Sequence, residues 1–403
     1  VAIFEIMTDL LLHNARLILP DRVHRGGVLI RERLITNVFS REQPPTGISS
    51  RESIDLQEAY LAPGLIDIHI HGSAGVDVQD TDSAGLSKLS EFLLSEGVTG
   101  YFATFVPTGE PGYRAAVSTV ESYIAGQDRT AAGARILGIH FEGPFVSHNK
   151  CGALQPEHFR TYDLDMRSIE TFIKPEKQVS YSRLMTLAPE VSGGIELTRA
   201  LGTRGVRVFI GHTQAEPAML DLAFEAGARH ITHFPNALDP LHHRKPGAVG
   251  WGLLREDVTM DCIADFHHVD PLMLRLIYQS KGADRMALIS DAIQPAGLGD
   301  GEFTVWGAKI AVHDGVTALV EGPSAGAIAG SVITMRQALK NMVSLGVPLH
   351  EAIAMASIVP ARAAGIDREH GSIEEGKLAD LVSFDEEFDV SIAIVGGKLL
   401  LRI

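Results

Sequence analysis

The sequence predicts an α/β chain: a (β/α)8 barrel with a small β-sandwich domain formed by both chain ends. Three observations carry this. Short apolar runs alternate with helical segments through the middle of the chain, the pattern of βαβ units and a parallel sheet. Eight such runs lie within about 300 residues, the number a closed barrel needs. Both ends of the chain read as strands instead, so one small sheet built from the two termini is expected.

In order, the first segment has strand-like runs at Leu10–Leu12, Ala15–Leu19, Gly27–Ile30 and Leu34–Val38, separated by Asp, Gly and Arg turns. A polar loop with Pro44-Pro45 follows, from Ser40 to Ser53. The eight central strands are Leu65–His71, Val98–Phe105, Ile136–Phe141, Met185–Ala188, Val206–Gly211, His230–His233, Met260–Ala264 and Ala287–Asp291. Ala84–Glu96, Pro217–Ala226 and Pro271–Gln279 read as helices between them. Near the other end, Leu378–Phe384 and Val390–Val395 are again β-like, before the turn Gly396-Gly397. The expected division is residues 8–61 and 367–403 for the small domain, and 62–366 for the barrel. A doubly wound open sheet competes, but no G-x-G-x-x-G turn follows an early strand.

Composition narrows the function. Of 403 residues, 45% are hydrophobic and 21% charged, which suits a packed globular core and excludes disorder as the main state. With 35 Lys+Arg against 50 Asp+Glu the formal charge is −15, and such a surface repels nucleic-acid phosphates. An anionic substrate would need a local basic pocket. The two cysteines, Cys151 and Cys262, cannot form a disulfide framework, so a reducing compartment is expected. No run of about 18 apolar residues offers a membrane span. Val1–Ile6 is too short for a signal peptide. Met7-Thr8-Asp9 reads as a more natural start, which makes the first six residues an extension. The expectation is a cytoplasmic protein without nucleic-acid or membrane partners.

The chemistry gathers where the strands stop. In a strand, residues i and i+2 share a face, so His69 and His71 can reach one ion together. Other strands end in His140-Phe141-Glu142, Gly211-His212-Thr213, Thr232-His233 and Ser290-Asp291. Active sites of such barrels lie at the C-terminal strand ends. Several strands delivering His, Glu or Asp to one rim point to a metal site rather than packing. His13, His24, His148, His158, His313, His350 and His370 lack that context and read as surface or structural. His242 and His243, beside Arg244, stay undecided.

These segments resemble the amidohydrolase superfamily, and within it the N-acetylglucosamine-6-phosphate deacetylases. The resemblance runs from about Asn14 to Leu399. It rests on Asp67-Ile68-His69-Ile70-His71-Gly72, His140-Phe141-Glu142-Gly143-Pro144-Phe145, Gly211-His212-Thr213, Thr232-His233-Phe234-Pro235-Asn236-Ala237, Ala264-Asp265-Phe266-His267-His268-Val269-Asp270 and Ser290-Asp291-Ala292, with the tail Gly371–Val382. It implies a divalent ion at Glu142, His212 and His233, and, because His69 and His71 are present, room for a second ion sharing Glu142. Zn²⁺ is the first choice, and Fe²⁺, Mn²⁺ or Co²⁺ also suit His/Glu sites. Asp291 resembles the superfamily's catalytic aspartate. Asn236, Ala237, Arg244 and His268 are implied for the substrate phosphate, with a homodimer in which His268 reaches the neighbouring site. Ala329–Met335 is matched as a wall of the pocket, or as a helix start packed through small residues.

The implied reaction is hydrolysis of the N-acetyl group of an N-acetylhexosamine 6-phosphate, with N-acetyl-D-glucosamine 6-phosphate first and the galactosamine isomer as alternative. Another amide, such as an N-acyl amino acid or cyclic imide, and a catalytically silent scaffold are the competing readings. One departure stands out. Leu154 occupies a place where family members commonly carry a histidine, so Gln155 or a second metal substitutes there, or the substrate differs.

Overall fold

A computed structural model describes residues 9–40, 50–130, 132–175, 177, 179–322 and 325–402. The expected extension Val1–Ile6, the Met7 start and most of the Pro44-Pro45 loop lie outside the described residues.

The centre is a sheet of eight parallel strands in sequential order. They are β1 (Leu65–Ile70), β2 (Val98–Phe105), β3 (Arg135–Glu142), β4 (Ser182–Leu187), β5 (Val206–Ile210), β6 (His230–Ile231), β7 (Thr259–Ile263) and β8 (Met286–Ile289). Each matches an expected strand. All of β1 and β2 is buried, as it must be where helices cover one face and the barrel core the other. The last seam, between β8 and β1, is bonded just past the strand ends. Asp291 N–H donates to the His69 carbonyl at 2.9 Å and His71 N–H to the Ala292 carbonyl at 2.8 Å. The Asp67 carboxylate, buried in the same seam, accepts the Ser290 hydroxyl and backbone N–H.

The expected helices form as Ser83–Ser95, Pro217–Ala226 and Pro271–Lys281. Asp82 and Asp270 accept free N–H groups of the first turn, and Pro217 and Pro271 open their helices, where no N–H is needed. No described helix is long and apolar enough to cross a membrane.

Both chain ends share a second sheet. Asp9–Leu19, Arg22–Arg31, Leu34–Phe39, Glu52–Asp55 and Tyr60–Pro63 join Leu381–Phe384, Val390–Val395 and Lys398–Arg402. The link between the ends is direct: Leu381 pairs with Pro63, and Leu17 with Leu61. Leu10–Leu12 and Ala15–Leu19 are one strand rather than two, with a register shift between Leu12 and Ala15 where Asn14 takes φ 53°.

One element was not foreseen. After β8 the chain builds a three-stranded antiparallel sheet, Gly301–Val305, Ala308–His313 and Val316–Leu319. Both turns have two residues, Trp306-Gly307 and Asp314-Gly315, and all four take positive φ between 50° and 78°. That is the backbone a tight hairpin requires.

Candidate active site

The residues singled out at the strand ends converge at the C-terminal mouth of the barrel. His69 and His71 leave β1 on one face, their Nε2 atoms 3.2 Å apart. Glu142 ends β3, and its Oε1 lies 3.0 Å from Nε2 of both His212 and His233, which are themselves 3.0 Å apart. Asp291 Oδ1 is 3.2 Å from His71 Nε2 and 3.4 Å from His69 Nε2. Glu142 also faces the first pair, 3.6 Å from His69 and 3.4 Å from His71. Two triads result, Glu142/His212/His233 and His69/His71/Asp291, all six side chains buried. Glu142 stands between them.

Local backbone aims these groups. His212, His233 and Asp291 each follow a barrel strand and take φ of 47°, 33° and 49°. Side chains other than glycine rarely adopt that region, and such strain concentrates where a site dictates geometry. Backbone carbonyls then orient two rings. The Lys150 carbonyl meets His212 Nδ1 at 2.7 Å and the Thr104 carbonyl meets His71 Nδ1 at 3.2 Å, which turns each Nε2 lone pair inward.

The arrangement fits a cation. Facing Nε2 atoms at 3.0–3.2 Å are two acceptors pointed at one spot, a repulsive contact unless something positive lies between them. The field says the same. Burial works against a positive charge at His71, yet the Asp291 and Glu142 carboxylates favour one there. Burial should raise Glu142, but the His69 charge and the hydrogen bonds from His212 and His233 hold it well below the usual carboxylate range. Three ligands with open positions are the pattern of catalytic rather than structural metal sites.

His140 is separate from both triads. It lies beneath them, with Nδ1 2.9 Å from the Ile68 carbonyl and Nε2 2.8 Å from Thr186 Oγ1, and burial together with the His69 charge keeps it neutral. His370 bonds Asp380 at 2.8 Å, a structural pair as expected.

Above the triads is a cavity of about 210 Å³. Asn236, Ala237 and His268 line it, as do Leu154 and Gly330. Asp265 anchors His268, accepting its backbone N–H at 2.8 Å and facing Nδ1 at 2.6 Å. Arg244 does not line the cavity. It is exposed together with His242 and His243, and no carboxylate among the described residues pairs with it. Gln155 does not fill the place of a polar group at Leu154, because its amide donates to the Trp306 carbonyl at 2.6 Å. Two larger clefts, of about 470 and 1010 Å³, both reach Arg207 near the start of β5 and hold none of the expected residues. That end of a barrel serves stability rather than catalysis.

Sequence reasoning missed Trp306. Its ring lies 5.0 Å from that of His71, and its Nε1–H donates to Asp77 at 2.8 Å. The hairpin dipeptides Trp306-Gly307 and Asp314-Gly315 were the available signal. It also missed Asp261, buried beneath the rim, which accepts the His233 backbone N–H and bonds His230 at 2.8 Å.

The family model described as "Amidohydrolase family" matches residues 60–400. The chain belongs to the amidohydrolase family. Its relatives in that family include the N-acetylglucosamine-6-phosphate deacetylase of Bacillus subtilis, 34% identical over 97% of each chain. The N-acetylgalactosamine-6-phosphate deacetylase of Escherichia coli O157:H7 is 35% identical over 91% of this chain and 93% of its own. Among solved structures, a mutant N-acetyl-D-glucosamine-6-phosphate deacetylase from Mycobacterium smegmatis, in complex with N-acetyl-D-glucosamine-6-phosphate, superposes with a TM-score of 0.86. It is 29% identical, over 98% of this chain and 100% of that one.

Proposed function

We propose that this amidohydrolase removes the acetyl group from an N-acetylhexosamine 6-phosphate, N-acetyl-D-glucosamine 6-phosphate first. The observation that carries the reading is the pair of triads beneath a small cavity bordered by Asn236, Ala237 and His268. The likeness to deacetylases across nearly the whole chain supports it. The galactosamine isomer is the second reading, favoured by the relative of that name.

In this reading Glu142, His212 and His233 hold a divalent ion, Zn²⁺ first, and His69 and His71 serve a second that shares Glu142. Such an ion, when bound, acidifies water and polarises a carbonyl. Asp291 takes the proton of the attacking water and returns it to the departing amine, which is too basic to leave as an anion. Its placement 3.2 Å from His71, at the edge of the cavity, suits that shuttle. Asn236 and Ala237 offer amide groups, and His268 a ring N–H, to the phosphate. Arg244 supplies the charge, since a guanidinium can bind two phosphate oxygens.

Because Arg244 lies outside its own chain's cavity while His268 lines it, the dimer proposal takes this form: Arg244 serves the site of a second copy. The domain division 8–61, 62–366 and 367–403 and a cytoplasmic location complete the proposal. The pairing of Ser383 with Leu61 and of Phe384 with Tyr60 supports the former.

The test is acetate release from the two sugar phosphates, alongside metal analysis of the purified protein. Release from either, lost on chelation, is expected. A metal-loaded protein that releases acetate from neither would overturn the reading.

A further inference from the structure

The cavity above the triads has two unlike poles, and only one of them is accounted for by a sugar phosphate. The polar pole, Asn236, Ala237 and His268, comes from the segments after β6 and β7. The other pole comes from the opposite side of the barrel. Leu154 follows β3 and packs with Val106 and Val146, which follow β2 and β3. Trp306 leans in from the hairpin after β8, packs against the same cluster and stands beside His71, just past β1.

We propose that Leu154 and Trp306 form the wall against which the acyl chain of the substrate packs, so that these two residues set how long an N-acyl group is removed. The inference rests on the deacetylase reading and adds to it the residues that select the acyl group.

A scissile amide has a nitrogen side and an acyl side, and its carbonyl must sit over the two triads. The nitrogen side carries the hydroxyl-rich, charged sugar phosphate, which needs hydrogen-bond partners and finds Asn236 and His268 at the polar pole. The acyl side carries hydrocarbon alone. Leu154 is 6% exposed and offers no hydrogen bond, and burying apolar surface against it is favourable.

The wall is also fixed in place. The Trp306 indole is pinned by its Nε1–H to Asp77 at 2.8 Å, and its backbone carbonyl by Gln155 at 2.6 Å. A rigid wall in a cavity of about 210 Å³ discriminates by length rather than adapting to it.

The test compares N-acetyl, N-propionyl and N-butyryl glucosamine 6-phosphates in the wild type, Leu154→Ala and Trp306→Gly. Glycine suits the Trp306 backbone, whose φ is 50°, so that variant keeps the turn while losing the ring. The readout is the ratio of kcat/KM for propionyl over acetyl. General damage cancels in this ratio, because both substrates share the sugar and the phosphate. Each variant is expected to raise the ratio about tenfold, the low end of what one methylene is worth in an apolar pocket. If either variant leaves the ratio within about twofold of wild type while still turning over N-acetyl substrate, the acyl wall is overturned and the deacetylase reading stands. A wild type inactive on all three acyl groups overturns the reading itself.

Discussion

Asp291 and Glu142 are both buried carboxylates ringed by the same imidazoles, yet their positions give them different work. Glu142 touches His212 and His233 at 3.0 Å and faces the other pair as well, so it belongs to the cradle. Asp291 faces His69 and His71 from the rim, its side chain 12% exposed against 5% for Glu142. Asp291→Asn should therefore keep the fold and the ion of the Glu142 triad but lose activity by several orders of magnitude, because an amide cannot cycle a proton. Steady-state kinetics with metal analysis checks this, and a tenth of wild-type turnover remaining would remove Asp291 as the base. Glu142→Gln or His212→Ala should empty the main site, whereas His69→Ala removes at most the second ion. Metal content per chain reads the difference; equal loss in both would show one shared site. These side chains were legible in the sequence because each follows an apolar strand whose end is easily seen. Arg244 was legible as a phosphate-binding type but not as a position, since a loop residue's direction follows from packing that no local pattern records.

At the scale of elements, the eight barrel strands could be read because burial on both faces leaves continuous apolar runs. The small hairpin sheet could not be read that way. Its strands are half exposed, with burial that alternates weakly, and only the two turn dipeptides betray it. Trp306 was hidden with it. The β8–β1 seam was equally invisible, because it depends on residues 223 positions apart: Ser290 and Asp67. Burial pushes the Asp67 carboxyl up to about 6, against the hydrogen bonds from Ser290 and His69 that lower it. Ser290→Ala removes the hydroxyl donor from a fully buried acceptor, which costs about 1–3 kcal/mol. The midpoint of urea unfolding should fall with an unchanged slope. Because Asp67 also accepts the His69 backbone N–H at 3.2 Å, the second ion should be lost more readily than the first. A variant as stable as wild type would show that the seam does not depend on this bond.

At the scale of the whole molecule, a chain of net charge −15 is proposed to bind a phosphorylated sugar, and its own cavity holds no arginine. The positive charge must come from somewhere. Arg244 is exposed and unpaired among the described residues, and Leu241, three residues before it, is 48% exposed, so the proposed second copy would cover this loop. In a symmetric dimer contacts are reciprocal, so if one Arg244 serves the other chain's cavity, both do. Arg244→Ala should then raise KM strongly for the 6-phosphate and leave residual turnover of the unphosphorylated amide nearly unchanged, since the lost contact binds ground and transition states alike. Equal loss on both substrates would remove the phosphate from this account. Mixing decides whether the arginine acts across the interface. Co-refolded Asp291→Asn and Arg244→Ala chains form mixed dimers in which one cavity has both an intact Asp291 and the other chain's intact Arg244. If the arginine acts in trans, random pairing restores about a quarter of wild-type sites. If it acts within its own chain, no site in the mixture carries both groups, and activity stays at the sum of the two variants.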